Sequence, residues 1–423
     1  WQANYYTLEF EMDGADAISS KEVACDASIL LPVLQERSGY VFDGWYLDED
    51  FQEEFDLGTM PAYDIVLYAK WIESDAYDIA FITDSGYVDD GSINQLTWEG
   101  IVDYAEEHAI TYTYYRPADI SHESFLEAIR LAIDGGAKIV VTSGFLFETS
   151  VHAAQFEFPD VHFISIDGSP HNVMDWGSME TYNGESMDFT IGFNTTVLFF
   201  KEQEAGFLAG FSAVMDGYRN IGFTGGVAVP AVVHYGVGYI AGAYYAAQEL
   251  EVDIVFGDDQ YYYFGDFGMN ETFTELAKQW YLYGTEIIFS AAGGANQSVM
   301  SAAEQSGTVM IGVDIDQSVN SSSVLTSAMK RYDMVVKQAL ASYYNDTFEG
   351  AVSSVKGVED SAVGLPMETS RFSVFSQADY DAIYQLLQDG IVHVPSNYSD
   401  LVDFLNAIGV TDGFPSEMTV GGN

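Results

Sequence analysis

"YDIAFITDSGYVDDGSINQLTWEG", residues 77–100, decides how the chain is read. Its apolar run "YDIAFIT" has the make-up of a buried strand, a polar turn-forming stretch follows, and from Ser92 the spacing becomes helical. A strand that passes through such a loop into a helix is the unit of a parallel α/β sheet, and the loop at the strand's carboxyl end is where such sheets meet ligands. The loop carries Asp84, Asp89 and Asp90, with no Lys or Arg between Lys70 and Arg116. Ser92 and Gln95 have the S-x-x-Q spacing of a capping box, which by itself accounts for both.

The same rhythm continues on the carboxyl side. "ITYTYY", "KIVVTS" and "VHFISID" read as strands, separated by helices over "HESFLEAIRLAI" and near "FETSVHAAQF". After "FNTTVLFF" a second set begins, with helices over "KEQEAGFLAGFSAVM", "AVVHYGVGYIAGAYYAAQEL" and "QSVMSAAEQ" and another ending at "QWYLYG". Its strands are "NIGFTGG", "VDIVFG", "EIIFSAAGG" and "TVMIGVDID". Two βα sets in tandem predict two lobes with a cleft between them. Residues 168–189 are polar, aromatic and aperiodic, and read as an inserted surface loop. Residues 396–423 form a C-terminal extension, with a helical piece over "YSDLVDFLNAIG" and a Gly-rich end expected to fray. Residues 1–75 differ in kind: "YYTLEFEMDG" alternates as a strand does and "DIVLYAKW" closes a small β-rich module.

Composition narrows the function. The 423 residues include 65 acidic and 14 basic side chains, a formal net charge of −51. Such a surface repels nucleic acid and anionic membranes. Cys25 is the only cysteine, so there is no intrachain disulfide framework, and it reads as a small core residue. No apolar stretch is long enough to span a bilayer. The chain begins at Trp1, which reads as a mature or trimmed product whose export signal and anchor lie outside it.

Catalytic patterns are absent: no G-x-x-x-x-G-K-[ST], H-E-x-x-H or G-x-S-x-G occurs, and none of the seven histidines forms an i, i+4 pair. Gly236, Gly238 and Gly242 sit inside a helical run with the wrong final spacing for a dinucleotide fingerprint, and close helix packing explains them better. Asp314 and Asp316 alternate at a strand end, so they could share a face and a metal. With no third oxygen ligand at regular spacing, hydrogen bonding to a vicinal diol is the preferred reading of Asp314. No catalytic residue, metal ligand or cofactor is assigned. The strand-end loops hold small residues, carboxylates, amides and aromatics, with Lys330 the one nearby cation. They suit a neutral polyhydroxyl or heteroaromatic ligand.

The blocks "FITDSGYVDDGSINQLTWEGI", "FPDVHFISIDG", "FKEQEAGFLAGF", "IGFTGGVAVPAV", "IIFSAAGGANQSV", "IGVDIDQS" and "VLTSAMKRYD" resemble, in order, those of the basic membrane protein family. These are PnrA-like substrate-binding lipoproteins of ABC transporters, many of which bind purine nucleosides. The resemblance implies a type I periplasmic-binding fold. Residues 77–200 would form lobe 1, completed by about 325–348, and residues 201–324 lobe 2, completed by about 349–395. It places Asn94, with Asp84 and Asp167, at the base. Tyr235 takes the stacking position, and Asp314 and Lys330 stand at the ribose hydroxyls beside the Gly293 and Gly294 backbone. Where the family reads Ser-Phe-Asn this chain has Ser92-Ile93-Asn94, and Phe145 or Trp98 is the candidate to replace the missing ring. Residues 31–71 similarly resemble a Listeria–Bacteroides repeat of internalin B type.

The function expected is extracytoplasmic capture of inosine, guanosine or adenosine, with delivery to an ABC permease at a bacterial surface through a lipid anchor outside this chain. The alternatives are a surface sensor or adhesin, and a nucleoside-acting enzyme with Asp314 as base.

Overall fold

The computed structural model describes residues 4–12, 17–32, 34, 40–55, 58–73, 77–84, 86–89 and 92–416. The expected fraying of the Gly-rich end concerns residues 417–423, outside the described ones. The N-terminal module has strands β1 (Tyr5–Glu11), β2 (Lys21–Ala24), β3 (Tyr40–Tyr46) and β4 (Ile65–Glu73), in the order β2-β1-β4-β3 with β1 and β4 parallel. Alternation in β1 turns Leu8 and Phe10 into a core with Trp45, Leu67 and Trp71. Cys25 is half-buried at its margin rather than in that core.

The first lobe contains β5 (Ile79–Ile82), α1 (Ile93–His108), β6 (Tyr112–Tyr115), α2 (His122–Asp134), β7 (Ile139–Ser143), α3 (Glu148–Glu157), β8 (His162–Ile166), the short β9 (Val173–Asp175) and β10 (Glu180–Thr181), and β11 (Thr195–Phe200). The second contains α4 (Glu202–Met215), β12 (Ile221–Gly225), α5 (Pro230–Leu250), β13 (Tyr261–Tyr263), α6 (Glu271–Leu282), β14 (Ile287–Ala291), α7 (Asn296–Ser306), β15 (Val309–Asp314) and β16 (Val324–Lys330). After these come α8 (Tyr332–Tyr344), β17 (Val352–Lys356), β18 (Val363–Gly364), α9 (Gln377–Gln388) and α10 (Tyr398–Ala407).

Two six-stranded sheets result, in the orders β17-β11-β8-β7-β5-β6 and β13-β12-β14-β15-β16-β18. Only β18 runs antiparallel within them. Strands β5, β7 and β14 are buried along their whole length, as parallel strands covered by helices must be.

Three details correct the expectations. Residues 325–330 belong to the second sheet, because β16 pairs with β15, while β17 joins the first beside β11. The chain therefore crosses between sheets three times: after β11, after β16 and after β17. "VDIVFG" is not a strand, since only Val255 makes a bridge, to Asn220. The sheet edge is instead β13, whose Tyr261 stacks on Phe223 with ring centroids 4.7 Å apart. The loop 168–189 carries its own hairpin, β9 with β10.

Candidate functional site

The site grows from the carboxyl ends of strands in both sheets. Asp167 directly follows β8 and Asp314 ends β15, and both aspartates adopt left-handed backbone, with φ of 56° and 63°. That conformation is uncommon outside glycine and costs on the order of 1 kcal/mol, so tertiary contacts must hold it. They do. Lys330, the last residue of β16, places its ammonium 2.7 Å from Asp167 Oδ2, 3.0 Å from Glu202 Oε1 and 3.9 Å from Asp314 Oδ1. Tyr332 donates to Asp167 Oδ2 at 2.5 Å and Tyr235 to Asp314 Oδ1 at 3.0 Å. His234 Nδ1 lies 3.1 Å from Glu202 Oε2. The rings of Phe200, Tyr235 and Tyr332 all lie within 6 Å of the ammonium, close enough for cation–π attraction.

One ammonium thus meets three carboxylates. Burial alone would lower the Lys330 pKa, but Asp167 and Glu202 outweigh it and hold the value well above the ordinary lysine range. Burial pushes Asp167 and Asp314 up despite the attraction of Lys330. Burial also opposes ionisation of Glu202, yet Lys330 and His234 bring it below the usual glutamate value. Exposure separates the roles: the Lys330 and Glu202 side chains are 4% and 3% exposed, whereas Asp314 is 30% exposed and turned toward a cavity. Lys330 and Glu202 therefore form the buried base of the cluster, and Asp314 is its most exposed carboxylate.

That cavity, about 190 Å³, is lined by Phe145 from the first lobe and by Val232, Tyr235, Phe267, Gly293, Asp314 and Lys330 from the second. Phe145 is 56% exposed. Phe267 lies against the glycine backbone: a Cβ at Gly226 would come within 2.4 Å of its ring, and one at Gly293 within 3.4 Å. Gly294 lies beside the Phe267 carbonyl.

On the first-lobe side, Ser92 caps α1 by accepting from Asn94 N. Asn94 is buried and donates to Asp84 Oδ1 at 2.7 Å, while its own Oδ1 accepts from Asp84 N at 3.3 Å. This pair closes the acidic loop onto the helix start. Asp84 Oδ1 also accepts from Gly86 N. Ile93 reaches toward Gly144, directly before Phe145.

The structure thus brings Phe145, Tyr235, Gly293, Asp314 and Lys330 to one cavity and joins Asp167 to it through Lys330. Asp84, Asn94 and Ile93 form a neighbouring group on the first lobe. Asp316, which alternates with Asp314, accepts from Ser318 N and Thr369 Oγ1, and no group of three potential metal ligands occurs among the described residues. Trp98 does not replace the missing ring, because it packs on Phe81, Tyr112 and Tyr114. The acidic loop does meet a cation, since Arg116 lies 3.9 Å from the centroid of Tyr87. Sequence reasoning missed Phe267, Glu202 and Tyr332. The only available signals were an aromatic in a Gly-rich loop and two polar residues just after the strands β11 and β16, none of them distinctive.

Two α/β lobes, crossed three times by the chain and sharing a cavity, have the type I periplasmic-binding architecture. Residues 78–396 match the family described as ABC transporter substrate-binding protein PnrA-like, and the chain belongs to that family. Residues 6–70 match the Listeria–Bacteroides repeat domain. The chain is 24% identical over 342 residues to the "CD4+ T-cell-stimulating antigen" of Listeria monocytogenes, covering 75% of this chain and 88% of that protein. It is 25% identical over 343 residues to the "ABC transporter nucleoside-binding protein BmpA" of Lactococcus lactis, with the same coverage. Among solved structures, an ABC transporter solute-binding protein from Aeropyrum pernix shares the fold at a TM-score of 0.59 and 17% identity, over 78% of this chain and 97% of that one.

Proposed function

We propose that the protein captures a purine nucleoside outside the cytoplasm and presents it to an ABC permease, carrying out no reaction of its own. The observation that supports this most is the pairing, in one cavity, of aromatic rings from both lobes with a partly open carboxylate on a buried cationic base. The base lies between Phe145 and Phe267, with Tyr235 as the inner wall. Phe267 thereby takes over the stacking role expected of Tyr235, whose hydroxyl is held by Asp314. Each ring stacked on a base contributes roughly 1–3 kcal/mol. Asp314 accepts the ribose hydroxyls, while Asp84 and Asn94 present polar groups at the base edge. A ligand touching both lobes shifts the population toward the closed form. The nucleoside-binding relative supports the ligand class, and the basic membrane protein relatives support a place at the cell surface.

Calorimetry with inosine, guanosine and adenosine tests the reading. At least one should bind with a Kd below about 10 μM, and silence from all three at about 100 μM removes the proposal. Asp314→Ala should weaken the best ligand about 10- to 100-fold, the usual effect of losing hydrogen bonds to a charged group. It should weaken the 2′,3′-dideoxy analogue much less, and equal losses for both would take the ribose contact away from Asp314.

A further inference from the structure

The loop 168–194 leaves the cleft directly after Asp167 and ends before β11, and the cavity does not use it. Its apolar residues are turned outward: Trp176 is 58% exposed, Phe189 54%, and Met174 and Met187 51% each. The two rings form a fixed pair. Trp176 and Phe189 lie with centroids 5.9 Å apart, and both contact His171, at 4.9 Å and 5.5 Å. His171 is buried beneath them and is held by Glu148 at 2.8 Å, at the start of α3. Gln155 and Asn172 tie down the rest through Thr190, Gly192, Ser186 and Asp188. Phe145, on the cavity wall, and Glu148, under the patch, lie three residues apart on the same segment, which puts the patch at the cleft rim.

Exposed apolar clusters with polar rims mark interaction sites, and the charge of this rim selects the partner. The loop that carries the patch also carries Asp175, Glu180, Glu185 and Asp188, and no Lys or Arg occurs between Lys138 and Lys201. In a symmetric dimer the patch would meet itself and its carboxylates would face each other. Anionic lipid would be repelled in the same way. A protein surface with an apolar pocket and a Lys/Arg rim fits on both counts.

We propose that the loop 168–194 is the docking element through which this protein engages its permease, the patch entering an apolar pocket rimmed by basic residues. The proposal rests on the importer reading, and the experiment separates the two. With p-benzoylphenylalanine in place of Trp176, irradiation of intact host cells should yield a product in which the full-length protein is joined to the integral membrane permease. The same probe in place of Leu282, exposed on α6, should not. The double variant Trp176→Ser, Phe189→Ser should lower nucleoside uptake at least about 10-fold, the scale of losing two interface anchors, with an unchanged Kd for nucleoside in calorimetry. Crosslinks only to lipid, to a second copy or to nothing, or uptake at the original rate in the double variant, would overturn the docking assignment. Loss of nucleoside binding by the unmodified protein, with the permease crosslink retained, would overturn the ligand and leave the docking intact.

Discussion

Lys330→Met should lower stability near pH 7 by about 3–5 kcal/mol, the cost of removing one partner from a buried charge cluster. Methionine nearly preserves the volume, so the loss isolates the charge. Without the ammonium, Asp167, Glu202 and Asp314 share a site with His234 as the only remaining basic neighbour. The pH dependence carries the sign. Burial already raises the folded-state pKa of Asp167 and Asp314, so the folded form holds their protons more tightly than the unfolded form does. Stability from these two groups is lost as pH rises through their folded values. Removing Lys330 takes away what restrained the shift, and it also releases Glu202, which Lys330 now keeps low. The variant should therefore recover stability on acidification from about pH 7 to 5, whereas the parent, with Glu202 ionised and paired, should gain less. Thermal melts at both pH values measure this. A variant that melts like the parent at pH 7 would show that the cluster does not hold the lobes' facing ends. Lys201→Met is the contrast: its partially exposed pairing with Glu204 and Glu359 should count for about 1 kcal/mol or less.

That cluster marks the limit of what the sequence reveals. The apolar runs "DIAFIT" and "KIVVTS" became buried parallel strands within a residue of their expected ends, because composition alone tells a doubly covered strand, whereas "EIIFSAAGG" became a strand that stops at Ala291, before its glycines. Ser92 was legible as a cap because capping is local. Asp314 and Lys330 were recognised through the motif blocks that hold them, and the cavity does bring them together. Glu202 and Tyr332 were not legible, since their importance comes from long-range pairing: Tyr332 reaches Asp167 across 165 residues of chain. Phe267 was invisible for the same reason, being placed by contact with the glycines of two other strand ends. "VDIVFG" failed differently. Its pattern fits a buried strand, but the stacking of Tyr261 on Phe223 takes the edge position, and Val255 is left 57% exposed.

Gly236, Gly238 and Gly242 of α5 were read correctly as packing residues, and together with the glycines of α4 they carry the second large effect. A Cβ at Gly242 would stand 2.0 Å from Phe207 O, and one at Gly238 1.9 Å from Gln203 O. From the other helix, a Cβ at Gly206 would stand 2.2 Å from Tyr235 O and one at Gly210 2.1 Å from Tyr239 O. Backbone meets backbone from both sides, so no side chain can rotate away to make room. Gly242→Ala gains up to about 1 kcal/mol of helix propensity, but the helices must separate, and overpacking of a close-packed interior costs about 1–3 kcal/mol or more. With backbone as the obstacle the upper end applies, and the net loss should be about 2 kcal/mol or greater. The consequence extends to the site, because α4 begins at Glu202 and α5 carries Tyr235, which hold Lys330 and Asp314 from opposite sides. Separating the helices should loosen that grip, so Gly242→Ala should weaken ligand affinity as well as lower the melting temperature. Gly257→Ala, where nothing lies within 4 Å of the added carbon, should do neither. If Gly242→Ala melts within about 1 °C of the parent and binds ligand equally well, the two helices are not the rigid frame on which the charge cluster is built.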